Sequence, residues 1–169
     1  MVHSVELLFD PDTESVIRGI WDSLRDADIP SQAPAGRPHA TLTVAQHIDP
    51  QAELVLADVA GRFPLPCRIG ATLIFGRSAG VLARLLVPTA ELLEVQADVY
   101  RLCLPYVDPA PMPHAEPGNW TPHVTLARRV APARLATALR IAGRPAEIAG
   151  QIVGLRRWDG DKREEHLIG

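Results

Sequence analysis

The sequence predicts an α+β fold made of two similar halves, and three observations carry that reading. Short apolar runs bounded by turn residues alternate with stretches whose apolar residues recur every three to four positions. The 169 residues suffice for one domain, or for two small lobes sharing a core. One five-residue phrase is also written twice, as Pro38-His39-Ala40-Thr41-Leu42 and as Pro122-His123-Val124-Thr125-Leu126.

Residues 2–9 read as a strand stopped by Asp10-Pro11-Asp12. Asp12 or Thr13 is placed to cap the helix that follows, with Ile17, Ile20, Trp21 and Leu24 as its apolar stripe. A loop rich in Pro, Gly and Ser then delivers the chain to His39, and residues 40–44 form a strand. Asp49-Pro50 opens a second helix through about Val59, closed by Gly61. Residues 64–75 read as a strand pair or one long strand, 76–80 as a hairpin turn and 81–87 as a further strand. Pro88 and Thr89 introduce a helix whose buried side is Leu92, Leu93, Val95, Val99 and Leu102. From Pro105 to Thr121 runs a proline-rich loop, long enough to suggest a functional role, and it too ends on Pro-His. A strand at 123–127, a helix at 132–141 and a strand at 146–155 follow. The charged tail turns at Asp159-Gly160, and its Arg156-Arg157-Trp158 reads as a solvated strand end. Each half therefore runs strand, helix, proline loop, histidine strand, helix, strand. This is a two-copy duplication across residues 1–169, hinged near 76–80.

Hydrophobic residues make up 47% and charged residues 22%, the composition of a globular protein and not of a disordered one. A net charge of −3 argues against a grip on long nucleic acid, which needs a basic face. A nucleotide or a short RNA end remains as partner, since a few local arginines hold one phosphate. The N-terminal MVHSVELLFDPD lacks the pattern of a signal peptide, and no run of about 18 apolar residues could span a bilayer. A cytoplasmic monomer without a membrane partner is the expectation. Cys67 and Cys103, with no CxxC pairing, read as buried thiols in a reducing compartment.

Strand alternation places His39 and Thr41 on one face, with Ala40 and Leu42 on the other; His123 and Thr125 stand likewise against Val124 and Leu126. If the halves face one another across a cleft, two imidazoles and two hydroxyls converge. That set suits attack of water on a phosphodiester, where one imidazole takes a proton and the other returns one near neutral pH. Hydroxyl donors stabilise charge developing on the nonbridging oxygens. A duplicated core strand with two satisfied histidines is the rival reading. The third Pro-His, Pro113-His114, lacks the Thr and Leu and serves as an internal control. A metal site would need a third ligand, and no H-x-H, HExxH or Cys-His cluster supplies one, so neither metal nor cofactor is expected. His3 reads as an ordinary partly buried histidine, and Trp120 as an anchor for the proline loop.

These residues resemble the two-histidine (2H) phosphoesterase superfamily, which includes RNA 2'-5' ligase-like proteins. Its signature is a pair of H-x-[ST]-hydrophobic motifs; here they are HATL and HVTL, with His39 and His123 84 residues apart. The resemblance implies a bilobal fold, with two antiparallel sheets facing a central cleft and helices outside. It implies that His39 and His123 act as acid and base while Thr41 and Thr125 hold the phosphate. The second motif continues as HVTLAR, which by resemblance puts Arg128 beside the phosphate or ribose. Strand parity argues the other way: five positions from His123, Arg128 faces the helix side unless a bulge or strand end turns it. The implied activity is hydrolysis of 2',3'-cyclic phosphates to 2'-phosphates, together with reversible 2'-5' RNA ligation at the same site. The alternative is a non-catalytic sensor that binds a nucleotide such as AMP in the same cleft.

Overall fold

Strand β1 (His3–Phe9) is buried along its whole length, and Asp10 ends it by turning its carboxylate onto the next helix. Asp10 accepts from the Thr13 amide at 3.3 Å and the Thr13 hydroxyl at 2.6 Å, so the cap of α1 (Pro11–Asp26) is Asp10 and not Asp12 or Thr13. Pro11 fits the first helical position, where no amide hydrogen is needed. Its stripe, Ile17, Ile20, Trp21 and Leu24, is buried as expected. The computed structural model describes residues 1–32, 35–76 and 78–169. Ala33 and Pro34 of the first proline loop and Arg77 of the 76–80 turn lie outside the described residues.

There follow β2 (His39–Ile48), α2 (Ala52–Ala60), a single long β3 (Leu65–Phe75), β4 (Gly80–Leu86) and α3 (Ala90–Cys103). Thr89 caps α3 by accepting from the Leu92 amide at 3.1 Å. The buried side of α3 is Leu92, Val95, Gln96, Val99 and Cys103; Leu93 is 45% exposed, because the stripe is centred one residue further round. The proline loop holds a strand that its composition hid, β5 (Val107–Pro111), paired with β2 at the sheet edge, where missing proline amides cost least. Beyond it come β6 (His123–Val130), α4 (Leu135–Ala142), β7 (Ile148–Asp159) and β8 (Glu164–Ile168).

All strand pairings are antiparallel and belong to one eight-stranded sheet, in the order β1-β2-β6-β4-β3-β7-β8 with β5 beside β2. A further β1–β7 pairing closes six strands into a ring. The expected pair of separate sheets is therefore corrected to one. Strand β7 is the cause: residues 148–152 pair with β3, and residues 152–158 pair with β1. The tail is also corrected. Strand β8 covers β7, and Arg156 and Arg157 are 6% and 2% exposed instead of solvated. The helical stripes and inward sheet residues form one core, running from Leu7 and Trp21 through Leu42, Leu56 and Val99 to Leu126 and Leu155. Both cysteines are free and buried, and burial pushes each thiol up to about 12. Among the described residues no helix is long and apolar enough to cross a membrane.

Candidate active site

Strands β2 and β6 share one register pair, Ala40 with Val124. In an antiparallel pair the neighbours of opposed residues are themselves opposed. His39 thus lies across from Thr125, and Thr41 across from His123, on the face away from Ala40 and Val124. Burial shows the same alternation: Ala40 and Val124 are buried, and the two histidines and two threonines are half-buried. In a regular ladder opposed Cβ atoms stand about 5 Å apart and diagonal ones about 7–8 Å. By that register the imidazoles stand on one diagonal of the four positions and the hydroxyls on the other.

Immediately after each threonine the strand bulges. Strand β2 meets β1 as Thr41 with Glu6 and Thr43 with Val5, which leaves Leu42 unopposed. Strand β6 meets β4 as Thr125 with Ala83 and Ala127 with Leu82, which leaves Leu126 unopposed. Such an extra residue reverses the alternation beyond it. Leu126 and Ala127 are both buried, and Arg128 emerges on the histidine face, lining the same cleft as Thr41, His123 and Thr125. The parity argument that sent Arg128 to the helix side is overturned. Val44 stands at the matching place in the first copy and lines the facing wall, so the repeat is broken here: one copy offers a guanidinium and the other an isopropyl group.

Bulges leave carbonyls without strand partners, and side chains from the opposite half supply them. Trp21 donates its indole N–H to the Thr125 carbonyl at 3.2 Å, and Trp120 donates to the Thr41 carbonyl at 3.0 Å. The next carbonyls accept from Ser31 Oγ (Leu126, 3.2 Å) and from Gln96 Nε2 (Leu42, 3.3 Å). Gln96 also donates to the Ala115 carbonyl at 2.6 Å, tying the proline loop to the bulge and explaining its own burial. Trp21→Phe and Trp120→Phe keep the ring and lose the donor. Each is expected to lose about 1–2 kcal/mol in urea unfolding. Each is also expected to lose about tenfold in turnover as its threonine drifts. Unchanged turnover in both variants would show that the indoles do not hold the threonines.

The two rings are oriented alike. His39 Nδ1 donates to the Arg37 carbonyl at 2.7 Å, and His123 Nδ1 donates to the Thr121 carbonyl at 2.7 Å. Because a carbonyl only accepts, Nδ1 carries a proton in both rings, and Nε2 is the edge left for proton transfer. Their surroundings differ. Burial holds the His123 pKa below the ordinary imidazole value, and the Arg128 and His39 charges add to that against the pull of the Thr121 carbonyl. Its ring also packs on Phe75 at 4.8 Å between centroids. His39 Nε2 instead lies 3.6 Å from Glu6 Oε1, and Arg156 Nε grips Glu6 Oε2 at 2.7 Å. Two chambers meet at Thr125. One of about 550 Å³ is walled by Phe75, Val81, Met112 and Trp120 around His123. The other, of about 230 Å³, is walled by Trp21, Arg37, Arg156 and Trp158 around His39.

A family model described as the 2'-5' RNA ligase superfamily matches residues 11–162, a span that includes both histidine strands. The chain belongs to that superfamily. No curated protein matches its sequence. Among solved structures, apo LigT of E. coli gives a TM-score of 0.64 at 14% identity, covering 99% of this chain and 94% of that one. TT0787 of Thermus thermophilus gives 0.64 at 14% identity, covering 100% and 96%. Usb1 of Kluyveromyces marxianus gives 0.51 at 12% identity, covering 99% and 97%. At these identities the likeness establishes the fold.

Three residues at the site of this superfamily member escape a reading of its motifs: Glu6, Phe75 and Arg156. Glu6 does leave a signal, as a lone charge inside the apolar run Val5 to Phe9. His3 lines neither chamber; it sits with Asp159 and Asp161, the one cluster among the described residues with metal-ligand spacing. Its Nδ1 accepts from the Ile48 amide at 3.3 Å, so Nε2 carries the proton and meets Asp161 at 3.1 Å and Asp159 at 3.4 Å. The Met1 ammonium adds a bond to Asp161 at 2.6 Å, and the cluster is a tie for the chain's N-terminal end.

Proposed function

We propose that this chain hydrolyses 2',3'-cyclic phosphates of nucleotides or RNA ends to 2'-phosphates through His39 and His123, without a metal. The observation that carries the reading is the set of four positions on the β2–β6 face, with the two imidazoles diagonal to one another and each Nδ1, not Nε2, taken up by a backbone carbonyl. His123, held neutral by its surroundings, is the base. Its Nε2 takes a proton from water as the water oxygen bonds to phosphorus; the P–O3' bond breaks, and His39 Nε2 gives its proton to O3'. The Thr41 and Thr125 hydroxyls and Arg128 donate to the nonbridging oxygens, where charge accumulates. With a 5'-hydroxyl in place of water, the same steps in the same direction make a 2'-5' linkage, and run backwards they cleave it to a 2',3'-cyclic phosphate and a 5'-hydroxyl. The larger chamber takes the nucleoside, in keeping with the crystals of LigT with 3'-AMP (TM-score 0.57, 14% identity, 98% and 91% covered). We place the protein in the cytoplasm, where two buried thiols stay reduced.

The deciding assay is turnover of a 2',3'-cyclic nucleotide with a chelator present, followed by identification of the product as the 2'-phosphate. Activity lost to the chelator, or a 3'-phosphate product, counts against the mechanism; tight nucleotide binding with no turnover marks a sensor. The pH dependence has a definite sign. A base works unprotonated, so kcat/KM rises as pH climbs through the His123 pKa. That limb is expected below about 6.5, the ordinary imidazole value, because His123 is depressed from it. A rise centred above neutral pH would remove His123 from the role.

A further inference from the structure

We propose that Glu6 is a positioning residue that keeps His39 in the proton-bearing state an acid requires. The inference rests on the acid–base reading above. Glu6 is 4% exposed in the middle of β1, opposite Thr41 on one side and Arg156 on the other. A carboxylate buried to that degree persists only when its oxygens are bonded and its charge is paired. Oε2 accepts from Arg156 Nε at 2.7 Å, and Oε1 accepts from Ser4 Oγ at 2.5 Å while facing His39 Nε2 at 3.6 Å. That last distance is too long for a hydrogen bond yet short for two charges. Glu6 therefore stabilises the charged ring without tying up the proton that must leave.

The second motif has no such partner. Burial and the Arg128 guanidinium disfavour a proton on His123, whose ring packs on Phe75. Chemically matched motifs thus meet different neighbours outside the repeat, a carboxylate facing Nε2 of His39 and a guanidinium near His123, an arrangement suited to one ring giving a proton and the other taking one. The charged groups around Glu6 and His39 are Arg156 on β7, Glu165 on β8, Arg37 ahead of β2, Glu14 on α1, and His123 with Arg128 on β6. Arg156 Nη1 donates to Glu165 at 2.8 Å, Arg37 Nη1 donates to Glu165 at 3.2 Å, and Arg37 Nε donates to Glu14 at 3.4 Å. Signs alternate along that chain; Arg156 Nη2 also lies 3.5 Å from His39 Nδ1, but its charge is shared between two carboxylates, and Glu6 is the group that faces Nε2 of His39.

Glu6→Gln keeps the shape and the acceptor for Arg156 and removes the charge. Expected on a 2',3'-cyclic nucleotide is a kcat lower by about tenfold, with KM within about twofold. The descending limb of the pH–rate curve moves about one unit down, while the ascending limb, set by His123, stays. Ser4→Ala acts in the opposite sense: stripping its donor from Oε1 leaves more of the charge to His39 and moves the descending limb up. Nitrogen NMR of the imidazoles reads the same effect without turnover, with His39 releasing its ring proton at lower pH in Glu6→Gln and His123 unchanged. A wild type that turns nothing over defeats the acid–base reading, and NMR still decides Glu6. An unmoved His39 titration in folded Glu6→Gln overturns the proposal; if that variant does not fold, an unmoved titration in Ser4→Ala does so.

Discussion

His39→Ala and His123→Ala are each expected to slow hydrolysis of a 2',3'-cyclic nucleotide by about 10²–10⁴-fold, the usual share of a general acid or base. The two losses differ in kind. Without His123 the ascending limb of the pH–rate curve disappears, and added hydroxide recovers part of the rate. Without His39 the descending limb disappears, and the loss shrinks for esters whose leaving oxygen needs no proton. Both residues act in one transition state, so the double variant costs less than the product of the two single losses. Binding of a 2'-nucleotide is expected to survive in both single variants, because the two hydroxyls and Arg128 still reach the phosphate. His47→Ala is the control: His47 is exposed, lines neither chamber, and its loss is expected to leave turnover unchanged. Full activity in either catalytic variant would end the two-histidine reading, and weakened binding at unchanged kcat would shift it toward nucleotide capture.

That prediction was largely legible in the chain, because a repeated H-x-T with strand periodicity fixes which side chains share a face whatever surrounds them. The face of Arg128 was not legible. Its orientation depends on Leu126 lacking a partner across β4, and a bulge is a property of two strands at once. The same limit hid β5: Asp108-Pro109-Ala110-Pro111 reads as loop by composition, and only the open edge of β2 makes it a strand. Arg156 and Arg157 looked solvated for a related reason, since only β8 and the carboxylates Glu6, Glu165 and Glu53 make a buried guanidinium tolerable there. Local pattern therefore reported faces and caps well, with the cap of α1 displaced from Asp12 or Thr13 to Asp10. What remained hidden were features decided by a partner distant in sequence, and the asymmetry between the two histidines is one of them.

Arg84→Met is expected to cost about 3–5 kcal/mol of folding stability, the sum expected when several buried carbonyls lose their donor at once. Arg84 is 1% exposed on β4, and among the described residues no carboxylate is a hydrogen-bond partner to it. Its guanidinium donates to four carbonyls: Gly70, Ile69 at 3.4 Å, Ala142 at 2.8 Å and Ala146 at 2.8 Å. Residues 69 and 70 lie where the β3–β4 register shifts, and Ala142 ends α4, where the helix dipole presents negative charge. One side chain thus satisfies acceptors that an irregular strand and a helix end leave open. Methionine fills the volume but strands those carbonyls in the core. Lysine keeps the charge, yet three donors on one nitrogen cannot span four acceptors, so Arg84→Lys is expected to fall between wild type and Arg84→Met. Urea unfolding measures both, and a loss under about 1 kcal/mol in Arg84→Met would show that water replaces the guanidinium. The effect reaches function through register. Arg84 opposes Val124, and Val124 opposes Ala40, so the strand pair that squares the two histidines rests on the β4 position this arginine anchors. Turnover in Arg84→Met is therefore expected to fall further than its folded fraction does, because a loosened β4 lets β6 slide against β2 before the chain unfolds.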